Sequence, residues 1–461
     1  MIDTMEIDDK YIEEILNEAK NQQSKEEIDA ILDKAASFKG LNHKEVAQLM
    51  TCTDDVQLER MFSIAQNIKE AIYGKRIVMF APIYVSDYCV NQCVYCSYSC
   101  TNNFERRKLT MDEIKQEIKV LESMGHKRLA LEAGEDDENC PIEYILEAIE
   151  TIYSMKTDDG EIRRINVNIA ATSVENYTKL KDAGIGTYIL FQETYHRETY
   201  AKVHPQGPKS NFDYHLNAFN RAMEAGLDDV GGGVLFGLHK PEFELLSLMI
   251  HNEHLEEKFG VGFHTVSVPR ICKSTGGLNL SFPNAVDDET FLKLVSIIRI
   301  AVPYTGIIVS TRETKDMRQK LIHLGVSQIS SGSITSVGGY AKEDKTQEQF
   351  GISDDRTSKE TINWLIDEGM IPCFCTACYR SGRTGDRFME LAKSGNIKNV
   401  CHSNALMTLY EYALDYGDEA LQEKAWTVIE RELDGIEHER VKELIVKNIE
   451  KIKEGARDLY V

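Results

Sequence analysis

This chain of 461 residues lacks several features that mark other classes of protein. It has no stretch of about 18 consecutive apolar residues, so no transmembrane helix is expected. Its acidic first residues contain no apolar core, which is not typical of a secretory signal. Solenoid repeats, low-complexity segments and Gly/Ser-rich linkers are also missing. We therefore expect a globular protein of the cytoplasm.

Basic residues are outnumbered by acidic ones, 53 to 75, and the formal net charge is −22. A general nucleic-acid binder needs a basic surface, so the composition excludes that class. The hydrophobic share of 42% and the charged share of 28% are ordinary for a globular protein.

Cysteine, by contrast, is plentiful, with 11 residues. In a chain without an export signal this favours metal ligation over disulfides. Cys89, Cys93 and Cys96 form a compact set. Thiolates select iron–sulfur clusters, zinc or Cu(I), and a structural zinc site usually has four protein ligands. Three close cysteines favour a cluster with one open iron, whereas Cys100 leaves a zinc knuckle as the alternative.

A second set, formed by Cys375, Cys378 and Cys401, lies near the end of the sequence. Zinc and an iron–sulfur cluster fit its spacing equally well, and Cys373 or His402 could complete a zinc ribbon. Several basic residues surround it: Arg380, Arg383, Arg387, Lys393 and Lys398. They predict a pocket for a negatively charged cluster or an anionic ligand, unless Asp386 simply pairs with one arginine.

The hydrophobic pattern divides the chain into three parts. Apolar residues at three- and four-residue spacing predict an N-terminal helical segment over 1–75. Over 76–340, short apolar strands alternate with amphipathic helices in eight units. The predicted strands cover 77–85, 128–135, 165–170, 186–193, 230–237, 263–269, 305–312 and 326–332. Eight units predict a complete (β/α)8 TIM barrel, while the alternative, an open doubly wound sheet, more often has five or six strands. Residues 341–461 form a C-terminal region that is expected to dock on the barrel.

Active sites of such barrels lie at the carboxyl ends of the strands. The first cysteine set follows strand 1, and further polar residues end later strands: Gly134, Glu135, Asn168, Glu193, Ser310 and Arg312. His264 begins strand 6 and is the exception.

Four stretches resemble the tyrosine-cleaving radical S-adenosylmethionine (SAM) maturases of FeFe-hydrogenase, the HydG type. They are CVNQCVYC at 89–96, GIGTYILFQETYHRETY at 184–200, GVSQISSGS with GGY within 325–340, and CTACYR with GRTGDRFM, Cys401 and NAL within 375–406. The likeness extends from about residue 10 to the end. The related tyrosine lyases of thiamine biosynthesis have a similar barrel but lack the second cysteine set. The resemblance implies a radical SAM (β/α)8 barrel with an N-terminal helical segment and a C-terminal helical extension that binds a cluster.

The resemblance also implies an enzyme with two centres. The first cysteine set would hold a 4Fe–4S cluster that, with a low-potential electron donor, cleaves SAM to a 5′-deoxyadenosyl radical. The radical would take hydrogen from the amino group of L-tyrosine, whose Cα–Cβ bond then breaks to give p-cresol and dehydroglycine. The second set would hold another 4Fe–4S cluster carrying an extra labile iron, on which dehydroglycine becomes carbon monoxide and cyanide. Implied partners are other hydrogenase maturation proteins, with L-cysteine as a ligand of the labile iron, and the source would be an anaerobic organism.

Residue roles follow from the same resemblance. SAM contacts are implied for Tyr95, Gly134, Glu135, Asn168 and Glu193, tyrosine contacts for Tyr84, Ser310, Arg312 and Gln328, and ligation of the labile iron for His264. The residues alone leave two alternatives open: Arg312 could pair with Glu313, and His264 could be a core histidine.

The chain departs from the family pattern in three places: Ile-Cys-Lys-Ser-Thr at 271–275, Cys373 before the CTAC core, and the glycines at 231–233. These departures leave the shape of the channel between the centres open. Two other functions remain as alternatives, a tyrosine lyase that stops at dehydroglycine and a non-catalytic zinc-stabilised protein.

Overall fold

A closed barrel of parallel strands forms the centre of the protein. The computed structural model describes residues 4–158, 160–271, 282–342, 347–393, 397–436 and 438–461. The strands are β1 (Arg76–Ser86), β2 (Arg128–Ala133), β3 (Arg164–Asn168), β4 (Tyr188–Ile189), β5 (Val230–Gly233), β6 (Thr265–Ser267), β7 (Gly306–Val309), β8 (Gln328–Ser330) and β9 (Ile371–Cys373). Strands β1 to β8 pair in chain order, and β1 pairs with both β2 and β8. The predicted TIM barrel is therefore confirmed, and the open sheet is wrong because the sheet closes. We call the carboxyl ends of the strands the upper mouth and the amino ends the lower mouth.

All eight predicted barrel strands are present, although most are shorter than their apolar runs. After β4 the chain stays beside β5 through two hydrogen bonds, from the Leu190 N–H to the Gly231 carbonyl and from the Gln192 N–H to the Gly233 carbonyl, both 3.0 Å. Glu193 then has a left-handed backbone, with φ of 67°. This turn ends regular pairing and places Glu193 at the upper mouth.

The glycines of β5 are required by neighbouring aromatic rings. A Cβ at Gly232 would lie 2.7 Å from the Phe263 ring, and one at Gly233 would lie 2.5 Å from the Phe191 ring. Both distances are shorter than real Cβ contacts. The protein's own side chains, rather than a cofactor, therefore fill the space beside these two residues.

The predicted N-terminal helical segment consists of α1 (Asp9–Asn21), α2 (Lys25–Ala35), α3 (His43–Thr51) and α4 (Asp55–Tyr73). Each begins after a side chain that accepts a backbone N–H: Asp8, Ser24, Asn42 and Asp54. Their apolar faces pack onto two outer helices of the barrel. Helices α1 and α3 contact α11 (Pro241–Phe259), and α4 contacts α12 (Asp288–Ala301).

The helices around the barrel are α5 (Met111–Ser123), α6 (Ile142–Ser154), α7 (Val174–Asp182), α8 (Arg197–Val203), α9 (Phe212–Leu216), α10 (Ala218–Glu224), α11 (Pro241–Phe259), α12 (Asp288–Ala301) and α13 (Lys315–Leu324), with a short 3-10 turn at Pro208–Ser210. The pattern over 211–226 predicts one helix, but α9 and α10 are separate. Asn217 separates them, because its side chain accepts from the Met5 N–H (2.8 Å) and donates to the Met5 carbonyl (3.1 Å).

The C-terminal region docks directly on the barrel, as expected. Its helices are α14 (Ser358–Asp367), α15 (Ala377–Arg380), α16 (Gly385–Lys393), α17 (Ile397–Tyr416), α18 (Glu419–Asp434) and α19 (Glu439–Lys453). Strand β9 pairs with residues 76–78 of β1, which brings this region to the lower mouth. Helix α17 packs on β9 and α4 and is covered by α18 and α19. Over the described ranges, no helix is long and apolar enough to cross a membrane.

Candidate active site

A cavity of about 240 Å³ lies at the upper mouth. Its wall contains the first cysteine set and eight of the nine residues predicted to contact SAM or tyrosine. These are Cys89, Cys93, Cys96, Tyr84, Tyr95, Gly134, Glu135, Asn168, Glu193, Ser310 and Arg312. Barrel closure therefore brings residues from five different strand ends to one space.

The first cysteine set lies on the loop between β1 and α5. Arg106 holds this loop in place, because its guanidinium donates to the carbonyls of Asp87 (2.7 Å) and Tyr98 (2.6 Å). Cys100 is exposed and is not on the cavity wall. Cys100 therefore does not face the cavity that the other three cysteines line.

Burial disfavours the charged form of two of these thiols. It raises the pKa of the Cys96 thiol to about 11 and also raises the pKa of Cys93. Such thiols become thiolates when a metal centre supplies compensating positive charge. A three-thiol set that faces a cavity therefore fits an iron–sulfur cluster.

Gly134 lies directly against the cysteine loop. A Cβ at this position would lie 2.3 Å from the Tyr88 carbonyl oxygen and 3.1 Å from the Cβ of Cys89, so only glycine fits. The next side chain, Glu135, accepts from the Asn91 amide at 2.5 Å, and that amide lies 3.8 Å from the Cys89 sulfur. The second strand end is thus tied to the cysteine loop.

Tyr84, Glu132 and Asn168 lie side by side on β1, β2 and β3. The Asn168 amide donates to Glu132 Oε2 at 2.7 Å, and the Tyr84 hydroxyl donates to Gln349 at 2.8 Å. Burial raises the pKa of Glu132 to about 8, so this carboxyl group is neutral at pH 7. Sequence reasoning missed Glu132, although a carboxylate within the apolar run RLALEA was a visible signal.

Glu193 pairs with Lys209, whose Nζ lies 2.9 Å from Glu193 Oε1 on the cavity wall. The left-handed turn at Glu193 is held by Glu244 of α11. Its carboxylate accepts from the Tyr195 N–H (2.8 Å) and from the Thr194 hydroxyl. Neither Lys209 nor Glu244 was predicted, because only the fold brings them to Glu193.

Arg312 reaches the upper cavity from the segment after β7. Glu313, its alternative partner, instead pairs with Arg270, whose Nε lies 3.0 Å from Glu313 Oε1. The Arg312 guanidinium stacks over Phe350, 4.0 Å from the ring centroid, and its buried Nε has no hydrogen-bond partner among the described residues. The backbone N–H of Arg312 donates to Ser310 Oγ at 3.3 Å. This arrangement suits a carboxylate ligand.

Gln328 is not on the wall of the upper cavity. It is the first residue of β8 and accepts from Arg128 Nη2 at 2.9 Å, deeper in the barrel toward the lower mouth. Its role at a tyrosine site stays a prediction.

The second cysteine set lies at the lower mouth, around a cavity of about 30 Å³. Four cysteines line it: Cys373, Cys375, Cys378 and Cys401. The sulfurs of Cys378 and Cys401 are 4.0 Å apart. The hydrogen bond with Cys401 and the nearby Arg383 guanidinium lower the pKa of Cys378. His402 is not on this wall, and its Nε2 lies 3.6 Å from Glu432 instead.

The basic pocket differs in detail from the prediction. Arg76, the first residue of β1, is buried on the cavity wall, and the cysteines around it raise its pKa although burial alone would lower it. Arg380 instead pairs with Asp458, at 2.8 Å between Nη2 and Oδ1. Three side chains of the prediction lie outside the described part of the chain: Asp386, Lys393 and Lys398.

His264 faces the lower mouth, just before β6. Its Nε2 lies 3.8 Å from Asp229 Oδ2, and its ring contacts Phe388 of α16 with centroids 4.8 Å apart. Burial lowers the pKa of His264 in spite of Asp229, so the imidazole is neutral at pH 7. Neutral imidazole is the form that binds metals. His264 thus lies at the same mouth as the second cysteine set, since Phe388 also packs against Cys378 and Cys401.

Comparison with known proteins agrees with this architecture. Residues 83–249 match the radical SAM superfamily, and residues 267–371 match the Biotin and Thiamin Synthesis associated domain. The chain is 27% identical to the 2-iminoacetate synthase of Escherichia coli (strain K12) over 345 residues, which cover 74% of this chain and 89% of that protein.

Two solved structures are similar over nearly the whole chain. A crystal structure of HydG, a maturase of the FeFe-hydrogenase, has a TM-score of 0.95 and 52% identity, covering 99% of both chains. HydG from Carboxydothermus hydrogenoformans has a TM-score of 0.84 and 39% identity, covering 96% of this chain and 97% of that one. The predicted resemblance is confirmed: the chain belongs to the HydG family of FeFe-hydrogenase maturases, within the radical SAM superfamily.

Proposed function

We propose that this protein is a radical SAM tyrosine lyase that also makes carbon monoxide and cyanide for the active-site cluster of FeFe-hydrogenase. L-tyrosine would be cleaved between Cα and Cβ to p-cresol and dehydroglycine at the upper mouth, and dehydroglycine would be converted at the lower mouth. One observation carries the proposal: a single closed barrel has a cysteine-lined cavity at each mouth. The likeness to HydG supports it because it covers both sites.

Cys89, Cys93 and Cys96 are the residues that would hold a 4Fe–4S cluster at the upper mouth. Such a cluster, bound with SAM and reduced by a low-potential donor, supplies the 5′-deoxyadenosyl radical. The protein's part is to hold SAM in place. Gly134 leaves the backbone open to a close ligand, and the hydroxyl of Tyr95 is fixed at 2.8 Å from His204 Nε2. The remaining SAM contacts would come from Glu135, Asn168 and Glu193.

Arg312 would bind the carboxylate of L-tyrosine, since its guanidinium has no carboxylate partner among the described residues and can form two parallel hydrogen bonds. Ser310, which already orients the Arg312 backbone, and Tyr84 would contact the rest of the substrate. Glu132, neutral at pH 7, would offer a hydroxyl donor without adding a negative charge to the cavity. Gln328, which lies deeper in the barrel beside Arg128, stays a predicted contact of the tyrosine substrate.

Cys375, Cys378 and Cys401 would hold the second 4Fe–4S cluster. When loaded with a labile iron, this centre supplies a Lewis-acidic metal that captures the diatomic products. The neutral imidazole of His264 would ligate that iron, and L-cysteine is a further candidate ligand. Arg76 would offset the negative charge of the thiolates. Other hydrogenase maturation proteins would receive the loaded iron.

A tyrosine lyase that stops at dehydroglycine is the second candidate, because the likeness to 2-iminoacetate synthase covers the barrel and 2-iminoacetate is dehydroglycine. A zinc-stabilised scaffold has less support. Among the described residues, no three His, Cys, Asp or Glu side chains are gathered closely enough to hold one metal ion. The Cys378 and Cys401 sulfurs, 4.0 Å apart, are close enough to share a zinc ion, so anaerobic iron, sulfide and zinc analysis separates the two interpretations.

The test is an anaerobic reaction of the reconstituted protein with L-tyrosine, SAM and a strong reductant, in which p-cresol, carbon monoxide and cyanide are quantified together. We expect all three from the wild type. The double variant Cys375→Ser with Cys378→Ser should still release p-cresol, while carbon monoxide per p-cresol falls by about tenfold or more. His264→Ala should give a milder form of this pattern.

Cys52→Ser is the matched control, because this thiol is also buried but lies in the N-terminal helical segment. A wild-type ratio of carbon monoxide to p-cresol in the double variant would mean that the diatomics are not made at the lower mouth. Release of p-cresol without carbon monoxide from the wild type would favour the lyase that stops at dehydroglycine.

A further inference from the structure

Cys373 is a fourth thiol at the lower mouth. It lies on the cavity wall with the three cysteines of the second set and is only 3% exposed. None of the roles proposed above uses this thiol. A thiol can bind a metal, so the direction and the surroundings of Cys373 decide whether it can reach the proposed metal site.

The register of β9 sets the direction of Cys373. It lies opposite Val78 of β1, and partners in a parallel pair point to the same face of the sheet. Alternate residues of β1 share a face, so Phe80 and Pro82 lie on the same face as Val78. Both Phe80 and Pro82 line the upper cavity inside the barrel. The Cys373 thiol therefore faces the barrel interior. Cys375, with φ of 50°, starts the turn into α15.

The packing of the lower mouth places Cys373 and His264 at the same end of the barrel. The His264 ring contacts Phe388, which packs against Cys378 and Cys401 of the cavity wall that Cys373 also lines. The Arg128 guanidinium donates to Gln328 at 2.9 Å, and Gln328 and Cys373 both lie opposite Val78 of β1. The Arg128 guanidinium is 1% exposed, and its Nε has no hydrogen-bond partner among the described residues. Cys373 and His264 thus border the same buried end of the barrel, which also holds the ion pair of Arg164 with Asp229.

We infer that Cys373 is a thiolate ligand of the iron that would lie between the second cluster and His264. This inference rests on the proposed function. Thiolates are good ligands for iron. Binding forms one iron–sulfur bond, displaces a water or free thiol from the iron, and releases the thiol proton to solvent, with no electron transferred. An internal thiolate would then take the place of free L-cysteine in this chain.

The experiment uses the full chain, reconstituted anaerobically with iron and sulfide in the absence of free thiols and then desalted. Iron and acid-labile sulfide are counted, and the reduced protein is studied by electron paramagnetic resonance. Cys373→Ala is compared with the wild type and with Cys52→Ala, which removes an equally buried thiol remote from both cavities. Cys373→Ser, which nearly keeps the side-chain volume, serves if the alanine variant does not fold.

We expect the wild type and the Cys52 variant to retain the extra iron. The Cys373 variant should lose about one iron per chain with its sulfide unchanged, and the spectrum of its second cluster should shift. Added L-cysteine should restore that iron.

The inference would be overturned if the wild type and the Cys373 variant had the same iron content per chain and the same electron paramagnetic resonance spectra. A wild-type protein that holds two clusters but no extra iron would also overturn it. Loss of sulfide together with iron from the variant would overturn it too, because Cys373 would then hold the cluster itself. Iron for only one cluster in the wild type would overturn the proposed function, and the inference with it.

Discussion

The buried carboxyl group of Glu132 makes the stability of the protein depend on pH in a way that one substitution should remove. Burial raises its pKa from 4.5 to about 8 in the folded chain. Glu132→Gln removes the titrating group but keeps a carbonyl oxygen. That oxygen can still accept the hydrogen bond from the Asn168 amide, which in the wild type is 2.7 Å from Glu132 Oε2. The variant therefore tests the charge and not the hydrogen bond.

The sign and size follow from proton linkage. Between about pH 5 and pH 8, Glu132 is protonated in the folded chain and ionised in the unfolded chain. The folded state then holds one more proton, so its contribution to stability is lost as pH rises, by about 1.4 kcal/mol per pH unit. Over the whole window this is roughly 5 kcal/mol at most. Glu132→Gln should therefore match the wild type near pH 5 and become steadily more stable than it toward pH 8.

The measurement is anaerobic thermal or denaturant unfolding of both proteins at several pH values from 5 to 8. Glu175→Gln on α7 is the control, because its side chain is 80% exposed. In the same series, tyrosine cleavage by the wild type should fall as pH passes 8, and this fall should be absent from the Glu132 variant. Parallel stability curves for wild type and Glu132→Gln would refute the reasoning.

Two further substitutions test the upper cavity. Gly134→Ala places a Cβ 2.3 Å from the Tyr88 carbonyl oxygen, so the cysteine loop must move; we expect 5′-deoxyadenosine formation to fall about tenfold or more and stability to fall by about 1–3 kcal/mol. Gly435→Ala is the control, because Gly435 has φ of −80° and no neighbour closer than 3.5 Å, and it should change neither SAM cleavage nor stability. Normal SAM cleavage by the Gly134 variant would contradict the role of the contact between Gly134 and the cysteine loop. Arg312→Lys loses the planar fork and the stacking on Phe350, so the KM for tyrosine should rise about tenfold while the Kd for SAM stays the same. An unchanged KM would place the carboxylate anchor elsewhere.

The barrel could be predicted because buried parallel strands are apolar on both faces, so each one appears as a short continuous run between amphipathic helices. Strand β9 could not, because Ile371–Cys373 is too short to show a pattern and forms only against the start of β1. The split between α9 and α10 was missed for a similar reason. Asn217 pairs with Met5, from a distant part of the chain.

The sequence by itself determined both cysteine sets, the eight strand–helix units and the strand ends at which Gly134, Asn168 and Arg312 lie. Covalent spacing and hydrophobic period are local properties, so they can be read without the fold. Tertiary structure alone decided which groups meet. Glu313 is adjacent to Arg312 in sequence, yet it pairs with Arg270 and leaves the Arg312 guanidinium to the cavity. The pairing of Lys209 with Glu193, the raised pKa of Glu132 and the shared location of His264 and the second cysteine set likewise depend on contacts between distant segments and on burial, which arise only when the barrel closes.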